Sequence, residues 1–406
     1  MKMEIKQLGI EEYILHEAMC HNVFFSFGGE RENFREKLKD ENFNPLDNED
    51  YKDYYCWGIK QDGKLVSALQ ITPYTMRMND YDVSMAGIGG VVTLPESRGN
   101  GYVSKLMDKI LHESLNQGIE FSVLYPFSYE YYRKFGYEMC FTLNNVTIPI
   151  QQFSSYSYPQ SIKAHEPEDS LMPFKEIYES FCENRNFAIV RDDKSWKKLL
   201  DRDLYKNLEY TYLYYNNKNK ATAYILYKCD YNPSIGNTLK IEELCWSEPA
   251  GLHGILGFLG KLGSEYQRVE WNMPSDVDAF TMFPDGYDVS WKRSSRGMCR
   301  IVNVLTSLNA LSAPEGAGNI VIEVEDSFLH ENTGKYNIEW HDKQLNVEMC
   351  NTKSSMTTSI QTLTQLVTGY LTPAEAVNKK DTVVSNSYTE LIKLFPRRNL
   401  YIKESF

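Results

Sequence analysis

The chain has 406 residues, of which 42% are hydrophobic and 24% are charged, and its formal net charge is −12 at pH 7. This length predicts about two or three domains, and the composition is typical of a globular protein in water. The negative charge disfavours a nucleic acid or an anionic membrane as partner, because both attract basic surfaces.

The cysteines and histidines are scattered along the chain, with no CxxC or HxxxH pair. Dispersed cysteines in apolar stretches are typical of reduced core thiols, which favours a cytoplasmic location. The missing ligand spacing predicts that no metal is bound. The first residues lack the apolar run of a signal peptide, and no stretch is long enough to cross a membrane.

The first predicted domain, residues 1–155, opens with a helical stretch at Glu11–Cys20. Strand-forming residues at Tyr54–Ile59 and Leu65–Tyr74 flank a glycine-containing turn, which predicts a hairpin. A further strand is predicted at Val83–Thr93.

A helix is predicted after this strand, because apolar residues recur at helical spacing. They are Val103, Leu106, Met107, Ile110 and Leu111. Gly118 is well placed to end the helix, and Ile119–Tyr125 resembles a buried strand. The order strand, helix, strand predicts a parallel crossover.

The second predicted domain, residues 156–290, follows a polar, proline-bearing linker at 154–167 and repeats the order of the first. Its predicted elements are a hairpin of Tyr210–Tyr215 and Ala221–Lys228, a strand at Leu239–Trp246, a helix at Gly251–Tyr266 and a strand at Arg268–Met273.

The third predicted domain, residues 291–406, has an α+β pattern of a different kind. Its predicted strands are Ile320–Glu325, Tyr336–His341 and Leu345–Met349, and its predicted helices are Val304–Leu311, Ser359–Gly369, Thr372–Val377 and Ser387–Phe395.

The loop between the Val83–Thr93 strand and its helix carries the motif that indicates chemistry. It reads Arg98-Gly99-Asn100-Gly101, shortly after Pro95. Such a loop offers free backbone N–H groups at the positive end of a helix dipole, glycines allow close approach, and arginine adds a cation. These features predict a pyrophosphate site. The loop lacks the third glycine of a Rossmann fingerprint and the Gly-Lys-Ser/Thr of a Walker loop.

Two segments resemble the Eis (enhanced intracellular survival) family of the GNAT superfamily of N-acetyltransferases. One is the R-G-x-G loop ending at Gly101, and the other is Tyr132–Tyr137, which matches the family's Y-x-x-F-G-Y. The resemblance covers the whole chain and implies a mixed α/β and α+β fold. Two tandem GNAT-type domains would be followed by a sterol-carrier-protein-like domain. The second GNAT-like copy would lack a cofactor loop, since Leu252 replaces the arginine and Ile255 the second glycine.

The resemblance also implies site residues, with acetyl-CoA as co-substrate and no metal. The implied cofactor contacts are Val91, Val92, Thr93, Arg98, Gly99, Asn100, Gly101 and Tyr102. Tyr132 would protonate the departing CoA thiolate, and the terminal carboxylate of Phe406 would reach the active site and accept the amine proton. One wall of the substrate pocket would comprise Phe24, Phe25 and Phe27. The family's loop carries successive basic residues, whereas Gly99 and Asn100 follow Arg98 here.

Several of these candidate residues also have an ordinary structural explanation. A glycine-rich loop can be only a turn, and Tyr132 and the three phenylalanines can be core residues. A run of acidic residues could form a rim that attracts polyamines or an ordinary solvated loop. It comprises Asp40, Glu41, Asp47, Glu49, Asp50 and Asp53. Glu96 is expected to be an ordinary surface residue.

The predicted function is acetyl transfer from acetyl-CoA to a primary amine of an aminoglycoside-, polyamine- or lysine-like acceptor, by direct attack in one complex. The alternative is a non-catalytic protein that binds an apolar ligand in the sterol-carrier-like domain; a structural or regulatory assembly protein is a further rival. The resemblance implies a homo-oligomer, specifically a hexamer.

Overall fold

The computed structural model describes residues 2–24, 44–157, 161–202 and 208–406. The chain divides into two compact units. Unit 1 comprises Met1–Cys140, Gly297–Arg397 and Glu404–Phe406, and unit 2 comprises Phe141–Arg296 and Arg398–Lys403. Each unit therefore draws on distant parts of the sequence. The predicted three-domain division at residues 155 and 290 stays a prediction.

The secondary structure elements of the described residues are numbered in chain order. The strands are β1 Met3–Gln7, β2 Tyr55–Gln61, β3 Lys64–Met78, β4 Tyr81–Thr93, β5 Phe121–Leu124, β6 Glu138–Pro149, β7 Ile162–Ala164, β8 Arg185–Asn186, β9 Glu209–Tyr215, β10 Ala221–Asn232, β11 Gly236–Trp246, β12 Arg268–Met273, β13 Ser290–Ile301, β14 Gly318–Glu325, β15 Gly334–His341, β16 Gln344–Cys350, β17 Met356–Ser359, β18 Val383–Val384 and β19 Asn399–Leu400. The α-helices are α1 Tyr13–Val23, α2 Tyr102–Asn116, α3 Tyr129–Arg133, α4 Met172–Cys182, α5 Asp193–Leu200, α6 Pro249–Lys261, α7 Ala279–Met282, α8 Val304–Asn309, α9 Ile360–Val367, α10 Pro373–Ala376 and α11 Tyr388–Leu394.

The first sheet of unit 1 has the order β1-β2-β3-β4-β5, and the last residues of β13 pair with β5. The predicted hairpin is present as β2 and β3, with Gln61 opposite Lys64. Its turn residues Asp62 and Gly63 have φ values of 49° and 86°. A two-residue turn with positive φ at both positions matches the twist of the paired strands, which explains the Asp-Gly sequence.

The predicted crossover is also present, because β4 and β5 are parallel and α2 connects them. The apolar stripe of α2 is buried, with Leu106 and Met107 at 0% exposure. Gly118 follows the helix with φ 76°, a conformation that ends helices at low cost to glycine. This unit places the loop of Arg98–Gly101 at the N-terminus of α2.

Unit 2 contains a sheet in the order β12-β11-β10-β9-β7, with residues of β6 paired to β12. β11 and β12 are parallel, and α6 joins them, so the repeat of the first region's order is confirmed.

The predicted linker at 154–167 is wrong in part, because Ile162–Ala164 forms the edge strand β7 paired with β9. A short edge strand needs no apolar alternation, so its residues carry no strand pattern.

The sterol-carrier-like part of unit 1 contains a second sheet in the order β16-β15-β14-β17-β18. All its predicted strands are found, and the predicted helices are present as α8 to α11 with somewhat shorter bounds. In the described ranges, no helix is both long enough and apolar enough to cross a membrane.

Candidate functional site

A gap opens in the first sheet of unit 1, where β4 and β5 part. Their pairing runs from Met85 opposite Phe121 to Ile88 opposite Leu124. β4 continues to Thr93, and within the described residues no further pair with β5 follows. The backbone of β4 beyond Ile88 is therefore available on that side to a ligand.

A β-bulge lies in the same stretch of β4. The register with β3 shifts between Ala68 and Gln70, so Gly90 and Val91 stand opposite Leu69. Gly90 has φ 54°, in the left-handed region that favours glycine. Bulges turn backbone groups out of the regular ladder, and this one does so directly before the predicted cofactor loop.

The predicted loop has the geometry of an anion cradle. Gly99 and Gly101 have φ values of 83° and 72°, and a Cβ placed on either would meet no atom within 4 Å. The first helical hydrogen bond of α2 runs from the Lys105 N–H to the Gly101 carbonyl, at 3.1 Å. The amides of Tyr102 to Ser104 precede that bond, so they point toward the loop without helical acceptors.

A cavity of about 550 Å³ extends along this loop and the end of β4. Its lining residues are Val23, Phe24, Val91, Thr93, Ser97, Arg98, Gly99, Asn100, Gly101, Tyr102, Val103, Ser104, Phe127, Tyr131 and Lys134. It therefore brings together every predicted cofactor residue except Val92, whose side chain is 1% exposed in the core of the unit. Open glycine positions, free amides and nearby cations fit the pyrophosphate of a CoA thioester.

Lys134 is a cation of this cavity to which the sequence motifs assigned no role. Its Nζ lies 3.7 Å from the centre of the Tyr131 ring and 3.5 Å from Oγ of Ser104. Burial lowers the pKa of Lys134. Because Arg98 is followed by glycine and asparagine, Lys134 supplies from another element a second positive charge that the loop itself lacks. Lys134 lies inside the Y-x-x-F-G-Y segment, and this position is the feature of the sequence that could have identified it.

Tyr132 lies in an aromatic cluster beside the cavity and is 3% exposed. Its ring centre is 5.3 Å from that of Tyr131 and 5.5 Å from that of Phe127, and both of these residues line the cavity. Burial raises the pKa of the Tyr132 phenol, so the hydroxyl keeps its proton at neutral pH. Tyr131, which precedes it, lines the cavity directly, whereas Tyr132 is not among the lining residues.

Phe406 lies against β4 next to the gap. A Cβ at Gly87 would be 2.8 Å from its ring, and a Cβ at Gly89 would be 2.6 Å from its carbonyl oxygen. The ring lies 5.7 Å from Tyr74 and 5.1 Å from Tyr125, centre to centre. Gly89 directly follows the last residue of β4 paired with β5, so the terminal carboxyl group stands where the strands part.

Of the remaining predicted residues, some line the cavity, some lie elsewhere on the surface, and some lie outside the described residues. Phe24 lines the cavity, whereas Phe25 and Phe27 lie outside the described residues. In the acidic segment, Asp40 and Glu41 also lie outside the described residues, and the others occupy a region of short 3₁₀ turns. Glu96 is a surface residue whose carboxylate lies 2.9 Å from Nζ of Lys64.

The second copy, in unit 2, also has strands that part, beyond Ile241 opposite Trp271. A cavity of only about 50 Å³ remains there, and the C-terminal segment Leu400–Lys403 contributes to its lining. Tyr401 of that segment donates its N–H to the Asn186 carbonyl at 2.9 Å. Its ring lies 5.1 Å from that of Phe181. The chain's own tail thus occupies this region.

The helix of the second copy carries no cofactor loop. Leu252 is 8% exposed in the core, and a Cβ at Gly254 would lie 2.5 Å from the nearest atom of the Tyr214 ring. This glycine serves close packing between a helix and a strand. The cradle in unit 1 differs, because its glycines face open space.

Family models match three parts of the chain. Residues 16–140 and 188–301 each match a family model described as an acetyltransferase (GNAT) domain, and residues 303–402 match a sterol carrier protein domain. The chain is therefore a GNAT-type N-acetyltransferase with two GNAT domains and a C-terminal sterol-carrier-like domain. GNAT domains use acetyl-CoA as co-substrate.

Solved structures extend the likeness to the full chain. A probable N-acyltransferase from Enterococcus faecalis V583 shares 22% identity over 98% of both chains, with a TM-score of 0.84. A GCN5-related N-acetyltransferase from Anabaena variabilis has the same identity and TM-score over 100% of both. Eis1 from Mycobacterium abscessus shares 16% identity over 100% of both, with a TM-score of 0.78. The fold of the whole chain is therefore like that of these proteins, Eis1 among them. No curated protein matches the chain.

Within the described residues, no group of at least three histidine, cysteine, aspartate or glutamate side chains could hold a metal ion.

Proposed function

We propose that the protein transfers the acetyl group of acetyl-CoA to a primary amine of a cationic acceptor, by direct attack within a single complex. The observation that carries this proposal is the position of the Phe406 carboxyl group. It lies at Gly89 of β4, just after the point where β4 parts from β5 and before the predicted cofactor loop that follows the strand. A proton acceptor and a thioester site thus share one short stretch of backbone.

The cofactor would be held mainly by backbone groups. Val91 and Thr93 of β4 would pair with the pantetheine arm, as an added strand pairs with a free edge. The amides from Gly99 to Tyr102 would bind the pyrophosphate, with Arg98 and Lys134 as its cations. The open space at both loop glycines supports this role, because a phosphate can approach the backbone there.

The reaction needs a proton acceptor and a proton donor. The acceptor nitrogen forms a bond to the thioester carbonyl carbon, the carbon–sulfur bond breaks, and the sulfur leaves as a thiolate. Tyr132 would protonate that thiolate, and the Phe406 carboxylate would take the proton that the amine loses. A free α-carboxyl has a pKa of about 3.5. Burial at the strand or a relaying water would have to make it an effective base.

A cationic acceptor is favoured by the groups around Phe406. Burial, and then the charges of Glu404 and Asp53, raise the pKa of Tyr74 to about 12. Two carboxylates therefore lie near a wall built from the rings of Tyr74, Tyr125 and Phe406. Aromatic faces and carboxylates together attract ammonium groups. An aminoglycoside, a polyamine and a lysine side chain all satisfy this chemistry.

The decisive experiment measures thiol release from acetyl-CoA over a panel of amines, with untagged protein. Activity with at least one polyamine or aminoglycoside is expected. A C-terminal extension of a few residues moves the carboxylate and should reduce turnover at least about tenfold, a modest share of a general-base contribution. An N-terminal tag is the matched control. No thiol release with any amine, or full activity of the extended protein, would contradict the proposal.

Further measurements address the alternatives. Thermal stabilisation by acetyl-CoA is expected, whereas a shift with fatty acid or sterol alone would favour a non-catalytic binding protein. From the family resemblance we also expect a homo-oligomer, a hexamer, and from the dispersed cysteines a cytoplasmic location. Light scattering after size exclusion measures the oligomer directly.

A further inference from the structure

A buried histidine on α1 contacts the bulge of β4. His16 is 1% exposed, and its Nε2 lies 2.7 Å from the carbonyl oxygen of Gly90. A carbonyl oxygen only accepts hydrogen bonds, so Nε2 carries a proton. Burial lowers the pKa of His16. The ring is therefore neutral at pH 7 and donates through Nε2.

Two thiols fix the other contacts of the ring. Nδ1 of His16 lies 3.5 Å from Sγ of Cys56, and burial raises the pKa of that thiol, so its S–H can donate to Nδ1. Sγ of Cys20 lies 3.4 Å from Nε2 and 3.6 Å from the Gly90 oxygen. A Cβ at Gly90 would come within 2.5 Å of the imidazole. The glycine thus admits the ring, and the two thiols hold it in place.

The hydrogen bond from His16 to the Gly90 carbonyl also orients the N–H of Val91, on the opposite side of the same peptide. In a planar trans peptide the carbonyl and the following N–H point in opposite directions. Because the Gly90 oxygen faces His16, the N–H of Val91 points away from α1. Val91 lines the cavity and belongs to the bulge.

We propose that His16 is a positioning residue that fixes the Gly90–Val91 peptide so that the Val91 N–H faces bound acetyl-CoA. The proposal rests on the proposed function of the cavity as the acetyl-CoA site. His16 itself touches no substrate and transfers no proton. Its hydrogen bond also polarises the peptide, which makes the Val91 N–H a stronger donor.

The test compares His16→Leu with His16→Gln. Leucine fills a similar volume without a donor, whereas glutamine places an amide N–H at about the reach of Nε2. His16→Leu should weaken CoA binding, measured by calorimetry, and lower kcat/KM for acetyl-CoA, each by about 5- to 10-fold, as expected for one lost hydrogen bond. His16→Gln should stay within about threefold of wild type, below that loss.

A purely structural role is separated by a control on the same helix. Met19→Leu conserves core volume and should leave CoA affinity unchanged. All variants are measured well below their melting temperatures, where a merely destabilised protein is still folded and binds normally. Wild-type CoA affinity in His16→Leu, or an equal loss in His16→Gln, would overturn the proposal.

A measurement on the unmutated protein keeps the proposal testable if His16→Leu does not fold. Nitrogen-15 NMR of labelled histidine rings should show His16 as the neutral Nε2–H tautomer at pH 7, with a shift when CoA is added. The Nδ1–H tautomer, a charged ring, or no shift on saturation with CoA would refute it. Because CoA binding is measured without an amine, failure of the acetyl-transfer proposal would appear separately, as absent thiol release.

Discussion

Gly89→Ala tests the role of the terminal carboxylate without changing the tail. A Cβ at this position would lie 2.6 Å from the carbonyl oxygen of Phe406. Carbon and oxygen atoms do not approach so closely without a bond, so either the strand or the chain end must move. β4 is held by its ladder to β3, whereas Phe406 is the last residue of the chain. The terminal carboxylate should therefore move, by about 0.5–1 Å to reach an ordinary contact distance.

The expected loss follows from this displacement. A misplacement of about 1 Å can cost about 100-fold in rate when a reacting group must be aligned. A general base contributes roughly 10²- to 10⁴-fold in total. We therefore expect kcat of Gly89→Ala to fall by about 10- to 100-fold. The melting temperature should change little, since the displaced group is a chain end.

The assay is thiol release from acetyl-CoA with the best amine of the panel. A double-mutant cycle with deletion of Phe406 supplies the control, because residues that act through one contact are not additive. Gly89→Ala should add little, less than about threefold, once Phe406 is gone. If kcat of Gly89→Ala stays within about threefold of wild type, or if its loss is as large without Phe406, the terminal carboxylate is not the group that Gly89 accommodates.

The other predictions concern the proton donor, the phosphate cations and pH. Tyr132→Phe should lower kcat by roughly 10²- to 10⁴-fold, with acetyl-CoA affinity nearly unchanged. A loss below about threefold would show that Tyr132 is not the proton donor and would make Tyr131, which lines the cavity, the next candidate. Arg98→Glu should weaken CoA binding by about 10- to 100-fold in calorimetry, because an attractive charge beside the pyrophosphate becomes repulsive; unchanged affinity would contradict the loop assignment. Lys134→Ala should raise KM for acetyl-CoA by about 3- to 10-fold and reduce its dependence on salt, and an unaltered salt dependence would remove Lys134 from the phosphate site. Burial lowers the pKa of His16 in the folded protein, so protonation favours the unfolded chain. The melting temperature should therefore fall as the pH drops below the ordinary histidine pKa of about 6.5, and His16→Gln should show a smaller fall. Equal falls in both proteins would show that His16 is not the responsible group.

Much of the local structure could be predicted because it depends on neighbours in sequence. The Asp62-Gly63 turn needs positive φ at both positions, and its composition indicated this directly. The apolar spacing of α2 and the glycine after it predicted the helix and its end. The loop from Arg98 to Gly101 was recognisable because its glycines are required by backbone geometry.

Other elements gave no usable local signal. The long strands β6 and β13 were not predicted, and β7 was assigned to a linker. β13 begins with Ser290–Arg296, a run rich in serine and basic residues, which resembles a loop by composition. Its pairing with neighbouring strands determines its conformation, since β propensity depends strongly on context.

The sequence by itself indicated the loop of Arg98–Gly101 and the segment Tyr132–Tyr137, because each depends on residues a few positions apart, and the resemblance that these segments carry led to the GNAT architecture. Only the tertiary structure brought His16 to Gly90, 74 positions away, and Tyr125 to the carbonyl of Glu404, 279 positions away. It also placed Lys134 in the cavity and the Phe406 carboxyl group at Gly89. Contacts over such separations leave no periodicity in the sequence. They exist because sheet pairing and the burial of apolar side chains bring distant segments together.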